Sequence, residues 1–170
     1  MGSPICVVIL GSDTAPYGIV QELRAHGVSD DIVMVDIRPR TGATSRLIQS
    51  FIEVANTAEA HRAVLRDLSR RYDHLVLFPT LDAHLEFMST IYDDVKDFCF
   101  LPFNPPTVPR FLDKTAQYDV CESIGVPYPR TRYIYSSADY DGLLDEPLPL
   151  LVKPREKTTA LLHPRLIETS

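Results

Sequence analysis

Two lysines stand where a cation could meet a phosphate. Lys114 follows Asp113 at the expected start of a helix, and Lys153 closes a hydrophobic stretch that reads as a strand. An ammonium group pairs with phosphate oxygens as a mobile point charge, although either lysine taken alone also reads as an ordinary surface cation. A second set of polar residues lies upstream. The turn Gly11-Ser12-Asp13-Thr14-Ala15-Pro16-Tyr17-Gly18 follows an apolar run and opens a helix, where free backbone N–H groups and the helix dipole can receive an anion. Ser12 and Asp13 are its candidate substrate contacts. The segment Pro79-Thr80-Leu81-Asp82-Ala83-His84 ends another apolar run. In a parallel sheet it shares a rim with the first turn, so Asp82 and His84 could meet a polar substrate there. The plainer reading has Asp82 capping a helix and His84 facing solvent.

Several chemistries are not supported. The first turn lacks GxGxxG spacing, and Asp36 alone is weak evidence for a ribose contact, so a nicotinamide dinucleotide site is the least favoured reading of it. A turn without a ligand, or a site for a smaller molecule, remains open. There is neither a GxSxG elbow nor a GxxxxGK[ST] phosphate loop. Asp82 and His84 alone do not make a metal site, and no catalytic residue or metal ligand is assigned. The three cysteines, Cys6, Cys99 and Cys121, are far apart and without CxxC spacing, which suggests neither a disulfide framework nor a zinc knuckle and favours a reducing cytoplasm. A formal net charge of −6 argues against a nucleic-acid partner. Arg62, Arg66, Arg70 and Arg71 recur at helical spacing and read as a solvated helix face. No apolar run approaches the roughly 20 residues needed to span a membrane, and the first residues lack a basic leader.

The elements that must hold these residues alternate. Ile5 to Leu10 is a continuous run rich in β-branched residues, the pattern of a strand buried on both faces of a parallel sheet. A helix with Pro16 in its first turn and Ile19, Val20 and Leu23 inward stops at Gly27. A second strand covers Ile32 to Val35 and ends at Asp36. The polar stretch Arg38 to Ser50 is a loop, and Phe51 to Val54 an edge strand. Asn56 and Glu59 form a capping box for a helix whose stripe is Val64, Leu65, Leu68 and Tyr72. Leu75 to Phe78 is the next strand, and Thr80 or Asp82 caps a helix through Phe87, Met88 and Ile91. The order predicts an α/β, doubly wound, mostly parallel sheet. Pro102, Pro105, Pro106 and Pro109 then place a domain edge. Beyond it, Asp113 to Ile124 reads as a helix, Tyr133 to Tyr135 as a strand, Ser136 and Asp139 as a second capping box, and Leu148 to Val152 as a last strand.

In this downstream segment the order is specific: Asp113-Lys114, then Gly125-Val126-Pro127-Tyr128-Pro129-Arg130-Thr131, then Pro149 to Pro154 ending in Val-Lys-Pro. It resembles the ATP-grasp superfamily, whose members carry these motifs in this sequence. Upstream, the βαβ start, Thr44-Ser45-Arg46 and Leu77 to Asp82 look like the Rossmann-like pre-grasp domain of the carboxylate-amine-ligase and carbamoyl-phosphate-synthase-like branch. The resemblance implies a pre-grasp domain over 1–109 and the start of an α+β ATP-grasp subdomain over 110–170.

It further implies that Lys114 and Lys153 contact nucleotide phosphates, with ATP and Mg2+ as cofactors and a small carboxylate or amine as substrate. The family's Gly- and Ser-rich phosphate-covering loop is replaced by Arg155 to Pro164, and the adenine-binding hinge and acidic magnesium ligands are absent from the sequence. The expectation is therefore a truncated ligase, inactive alone, with a missing C-terminal half or a homo-oligomeric partner. The exposed strand at Leu148 to Val152 should then lack its pairing partners, and the segment after Pro109 should be less stable than the sheet. A non-catalytic small-ligand-binding or interaction module is the alternative.

Overall fold

The computed structural model describes residues 4–108, 112–140, 143, 146–153 and 165–168. The chain divides into two compact units, Met1–Pro109 and Arg110–Ser170. Expectations resting on Pro109, Phe111 and the stretch 154–164 lie outside the described residues.

Unit 1 is a five-stranded parallel sheet. Its strands are β1 (Ile5–Leu10), β2 (Asp31–Asp36), β3 (Ser50–Glu53), β4 (His74–Pro79) and β5 (Cys99–Phe100), in the order β3-β2-β1-β4-β5. β1 is central, with Val8 level with Val33 on one side and Leu77 on the other. Its alternate residues serve opposite faces. Cys6, Val8 and Leu10 pack with α2 (Ala58–Leu68) through Leu65 and Leu68, and with α3 (Asp82–Thr90) through Met88; α4 (Tyr92–Val95) adds Val95. Val7 and Ile9 face α1 (Thr14–Ala25), chiefly Val20. Helices on both faces explain why β1 has no polar alternation. The short β5 escapes the sequence reading because a two-residue strand is too brief for any period to show.

Several boundaries differ from expectation for identifiable reasons. Thr57, not Asn56, caps α2, its hydroxyl accepting the Ala60 N–H at 3.2 Å, and Glu59 pairs with Arg62 instead of closing a box. Neither Thr80 nor Asp82 caps α3. Leu81 takes the cap position without a side-chain bond, because the Thr80 hydroxyl donates to the Leu10 carbonyl at 2.5 Å. Tyr72 lies beyond α2 yet stays buried, its phenol donating to Asp31 at 2.7 Å. Arg62 and Arg66 are not simply solvated, since both bond Asp94 of α4 and tie it to α2.

Unit 2 holds α5 (Lys114–Ser123) and an antiparallel ribbon of β6 (Leu150–Val152) and β7 (Arg165–Ile167). Asp113 caps α5, accepting the Thr115 N–H at 2.7 Å, and Gly125 follows with φ +70°. Tyr133–Tyr135 forms no strand; those residues precede a 3-10 turn, Ser137–Tyr140, where Asp139 accepts the Ser136 N–H at 2.7 Å. The expectation that the Leu148 to Val152 strand lacks a partner is overturned by β7. The unit's described residues nevertheless bury little: α5 has no buried residue, Ile124 is 66% exposed and Leu166 58%. Such a helix depends heavily on its cap. Asp113→Ala should therefore weaken α5 by about 1 kcal/mol, read as roughly fivefold faster amide exchange over 114–123. Unchanged exchange there would show that the cap does not limit opening.

Candidate functional site

The sheet order reverses between β1 and β4, because the chain builds outward from β1 through β2 and β3 and then returns to its other side. Loops leaving the carboxyl ends of β1 and β4 pass to opposite faces and leave a crevice between them. A cleft of about 220 Å3 occupies that position, and all of its walls belong to unit 1.

Gly11 forms the hinge of the first wall. Its φ is +105°, and its N–H donates to the Val35 carbonyl at 2.7 Å, extending the ladder by one residue before the chain turns into α1. Ser12 does not display its hydroxyl to a ligand. It is fully buried, donating to Asp36 at 2.7 Å and accepting the Arg40 N–H at 3.1 Å. Asp13 does line the cleft, as the cap residue of α1 with no side-chain bond to that helix.

Asp36 lines the cleft with both carboxylate oxygens already engaged, one by Ser12 and the other by the Ile37 N–H at 2.7 Å. It is therefore organised as a post for the loop after β2 and is not displayed to a ribose. Arg40 stands between the two acids, 4.0 Å from Asp13 and 4.0 Å from Asp36. Arg40 and Asp13 are both part-exposed, where such pairing contributes little to stability, so the guanidinium remains available to an incoming anion.

His84 closes the floor. Far from facing solvent, it is 3% exposed, and its Nδ1 has no hydrogen-bond partner. His61, also buried, lies with its ring centroid 5.8 Å away. The Nδ1–H of His61 donates to the Thr57 carbonyl at 2.8 Å, which leaves its Nε2 as an acceptor without a partner. Burial and the neighbouring His61 bring the His84 pKa down to about 4, and burial lowers that of His61 as well. Both rings are neutral at physiological pH. Asp82, by contrast, begins α3 and is absent from the cleft walls.

Arg40, Asn56 and Thr80 complete the walls, and none was identified as a ligand contact from sequence. Their common signal is position, since each follows the carboxyl end of a strand on one rim. A cleft this small falls below the range that encloses drug-sized ligands. With Asp36 already committed, it does not supply a dinucleotide site.

Lys114 and Lys153 are both exposed in unit 2. A shallow depression there is lined by residues such as Cys121, Gly125 and Tyr128, and by neither lysine. Among the described residues no group of three or more His, Cys, Asp or Glu could hold a metal, so a magnesium site does not fit the side chains described. Burial pushes the Cys6 and Cys99 thiols up to about 12, which keeps them protonated and unreactive. No helix among the described residues is long and apolar enough to cross a membrane.

No protein-family model matches the chain. A D-aspartate ligase of Enterococcus faecium (strain Aus0004) is 24% identical over 158 residues, an alignment covering 84% of this chain and 35% of that protein. Among solved structures, glycinamide-RNase-transformylase T from Mycobacterium tuberculosis superposes with a TM-score of 0.66 at 19% identity, over 97% of this chain and 44% of that one. An L-amino acid ligase from Bacillus licheniformis gives 0.64 at 13% identity, over 96% and 39%. N5-carboxyaminoimidazole ribonucleotide synthetase from Thermus thermophilus gives 0.63 at 15%, over 96% and 41%. The chain thus spans less than half the length of each of these four proteins, and what it shares with the solved structures is a fold.

Proposed function

We propose, from the fold this chain shares with the N-terminal part of ATP-grasp ligases, that it supplies the substrate-side domain and the opening of the nucleotide-binding domain of an ATP-dependent carboxylate-amine ligase. The observation carrying the proposal is the coincidence of that fold with an ordered motif set, Asp113-Lys114, Gly125 to Thr131 and Val152-Lys153-Pro154. Neither half would be persuasive alone, because a doubly wound sheet hosts many functions. The D-aspartate ligase relative and the L-amino acid ligase neighbour support a ligase that joins small molecules.

In such a reaction ATP converts a carboxylate to an acylphosphate, which an amine attacks. The role of Lys114 and Lys153 would be to offset phosphate charge as the nucleotide enters. Lys114 is suited to this at the first position of α5, where the helix dipole adds to its charge. The described residues supply no magnesium site, so the metal and the phosphoryl-transfer step are assigned to the whole enzyme. The unit 1 cleft would hold one of the small substrates.

Titration of the 170-residue chain with ATP is expected to show weak, salt-sensitive binding. The Lys114→Ala/Lys153→Ala variant should bind at least about tenfold less tightly, a loss of roughly 1.4 kcal/mol. Equal binding by that variant would refute the lysine assignment. ATP-dependent ligation by the chain alone would refute the assignment of catalysis to a larger enzyme.

The cleft's confinement to unit 1 favours a second reading, a small-ligand-binding module acting without nucleotide. Amino-acid binding that is unchanged by ATP, together with no nucleotide binding at all, would select it.

A further inference from the structure

We propose that the β6–β7 ribbon of unit 2 docks on a second copy of this chain, face to face about a two-fold axis, through Leu151 and Leu166, with Lys153 of each copy pairing with Glu168 of the other. The proposal does not depend on the ligase reading.

The ribbon's register sets Leu151 directly opposite Leu166, so their side chains share one face, while Leu150, Ile167, Val152 and Arg165 share the other. Leu151 is 54% exposed and Leu166 58%, which places two neighbouring leucines in water at the centre of one face. A single exposed leucine is ordinary. Two side by side on a two-stranded ribbon are not, because such a ribbon is marginal in water until another layer covers its apolar face. Among the described residues no further strand joins it.

The charges at the ends of this face select the layer. Continuing the alternation one residue past each strand brings Lys153 and Glu168 onto the leucine face, at opposite ends of it. Both are exposed, and neither is ion-paired within the described residues. The face is therefore apolar at its centre, positive at one end and negative at the other. Turned over about a two-fold axis that runs across the strands, it matches itself. Leu151 meets Leu151 of the second copy, Leu166 meets Leu166, and each Lys153 comes beside the other copy's Glu168. Sheets stacked about 10 Å apart, with strands about 4.8 Å apart, leave that pairing within reach of the two long side chains. A partner surface of one sign would be opposed at one end, and a purely apolar one would desolvate both charges without compensation. A second copy meets neither objection, and a two-fold contact requires this self-complementarity.

The contact is small, with two leucines from each copy and an ion pair at either end. It lies well below the area of a standard stable interface, so association is weak and governed by concentration.

The test is sedimentation equilibrium of the full chain without nucleotide, whose phosphates would compete for Lys153 under the ligase reading. Between about 10 μM and about 1 mM the wild type should pass reversibly from monomer towards dimer, with a dissociation constant on the order of 100 μM. Lys153→Glu and Glu168→Lys should each weaken association at least about fivefold. The double variant exchanges the charges and should recover to within about twofold of wild type, which a mere loss of folding could not produce. Leu166→Gln should abolish association. In NMR spectra the backbone resonances of 150–152 and 165–167 should shift with concentration while those of α2 stay fixed. A chain still monomeric at about 1 mM, a dimer that survives Leu166→Gln, concentration-dependent shifts confined to other residues, or a double variant as weak as either single one would overturn the proposal. None of these outcomes bears on ATP binding, which the Lys114→Ala/Lys153→Ala variant tests separately.

Discussion

Gly11→Ala should destabilise unit 1 by about 3 kcal/mol, combining backbone strain with overpacking. The backbone at Gly11 has φ +105°, which a side chain rarely adopts. A Cβ there would lie 2.6 Å from Thr80 Oγ1 and 3.0 Å from the Pro16 ring. Neither neighbour can withdraw easily. The Thr80 hydroxyl is held by its bond to the Leu10 carbonyl, and the proline ring is locked in the first turn of α1. The measurement is the urea midpoint of wild type, Gly11→Ala, Thr80→Ala and the double variant. Removing Thr80 Oγ1 relieves the contact and leaves the φ strain, so the double variant should lose less than the sum of the single ones. Strict additivity would show that strain, with no clash, sets the whole effect. A loss below about 1 kcal/mol would mean that the turn relaxes freely.

Acid should weaken the fold through His84 before most carboxylates titrate. In the unfolded chain this imidazole takes a proton near its ordinary value of 6.5, whereas in the folded protein it does so only near 4. Between those values the unfolded state binds more protons, so stability falls as pH falls. The contribution is fully present above pH 6.5 and is lost progressively down to about pH 4. The shift corresponds to about 3 kcal/mol. His61, lowered by the same burial, acts in the same direction.

Urea midpoints at about pH 7, 6, 5 and 4 for wild type and His84→Gln isolate the effect, since the carboxylates are common to both proteins. Whatever packing the variant loses at neutral pH, its stability should decline less steeply with acid, and the two curves should converge. Parallel curves would mean that His84 takes up its proton at the same pH in the folded and unfolded states, and the lowering by burial would be refuted.

These two expectations meet in the same few residues. Gly11 shapes one wall of the cleft and His84 forms its floor, with the added Cβ reaching within 3.6 Å of the imidazole. A protein under pressure only to be stable has little reason to place a left-handed turn and two buried imidazoles with unpartnered nitrogens at one point. Such strain is usual where a ligand must approach backbone closely.

The unbroken apolar runs at Ile5 to Leu10 and Ile32 to Val35 determined the parallel sheet by themselves, because only strands covered on both faces can dispense with polar alternation. The stops at Gly27 and Gly125, the proline-rich stretch after Leu101 and the ordered Lys114 to Lys153 motifs were legible for a similar reason: each is local chemistry acting within a few residues. What the sequence could not specify was which side chains would meet. Ser12 looked available and is buried against Asp36; His84 looked solvent-facing and is the cleft floor; Asn56 looked like a cap and is a wall. Arg40 sits in an unpatterned loop, and its place between Asp13 and Asp36 depends on contacts spanning 27 and four residues of chain. Periodicity predicts the face a residue turns toward, but the partner on that face is set by how strands β1, β2 and β4 align their carboxyl ends. That alignment exists only once the sheet has formed.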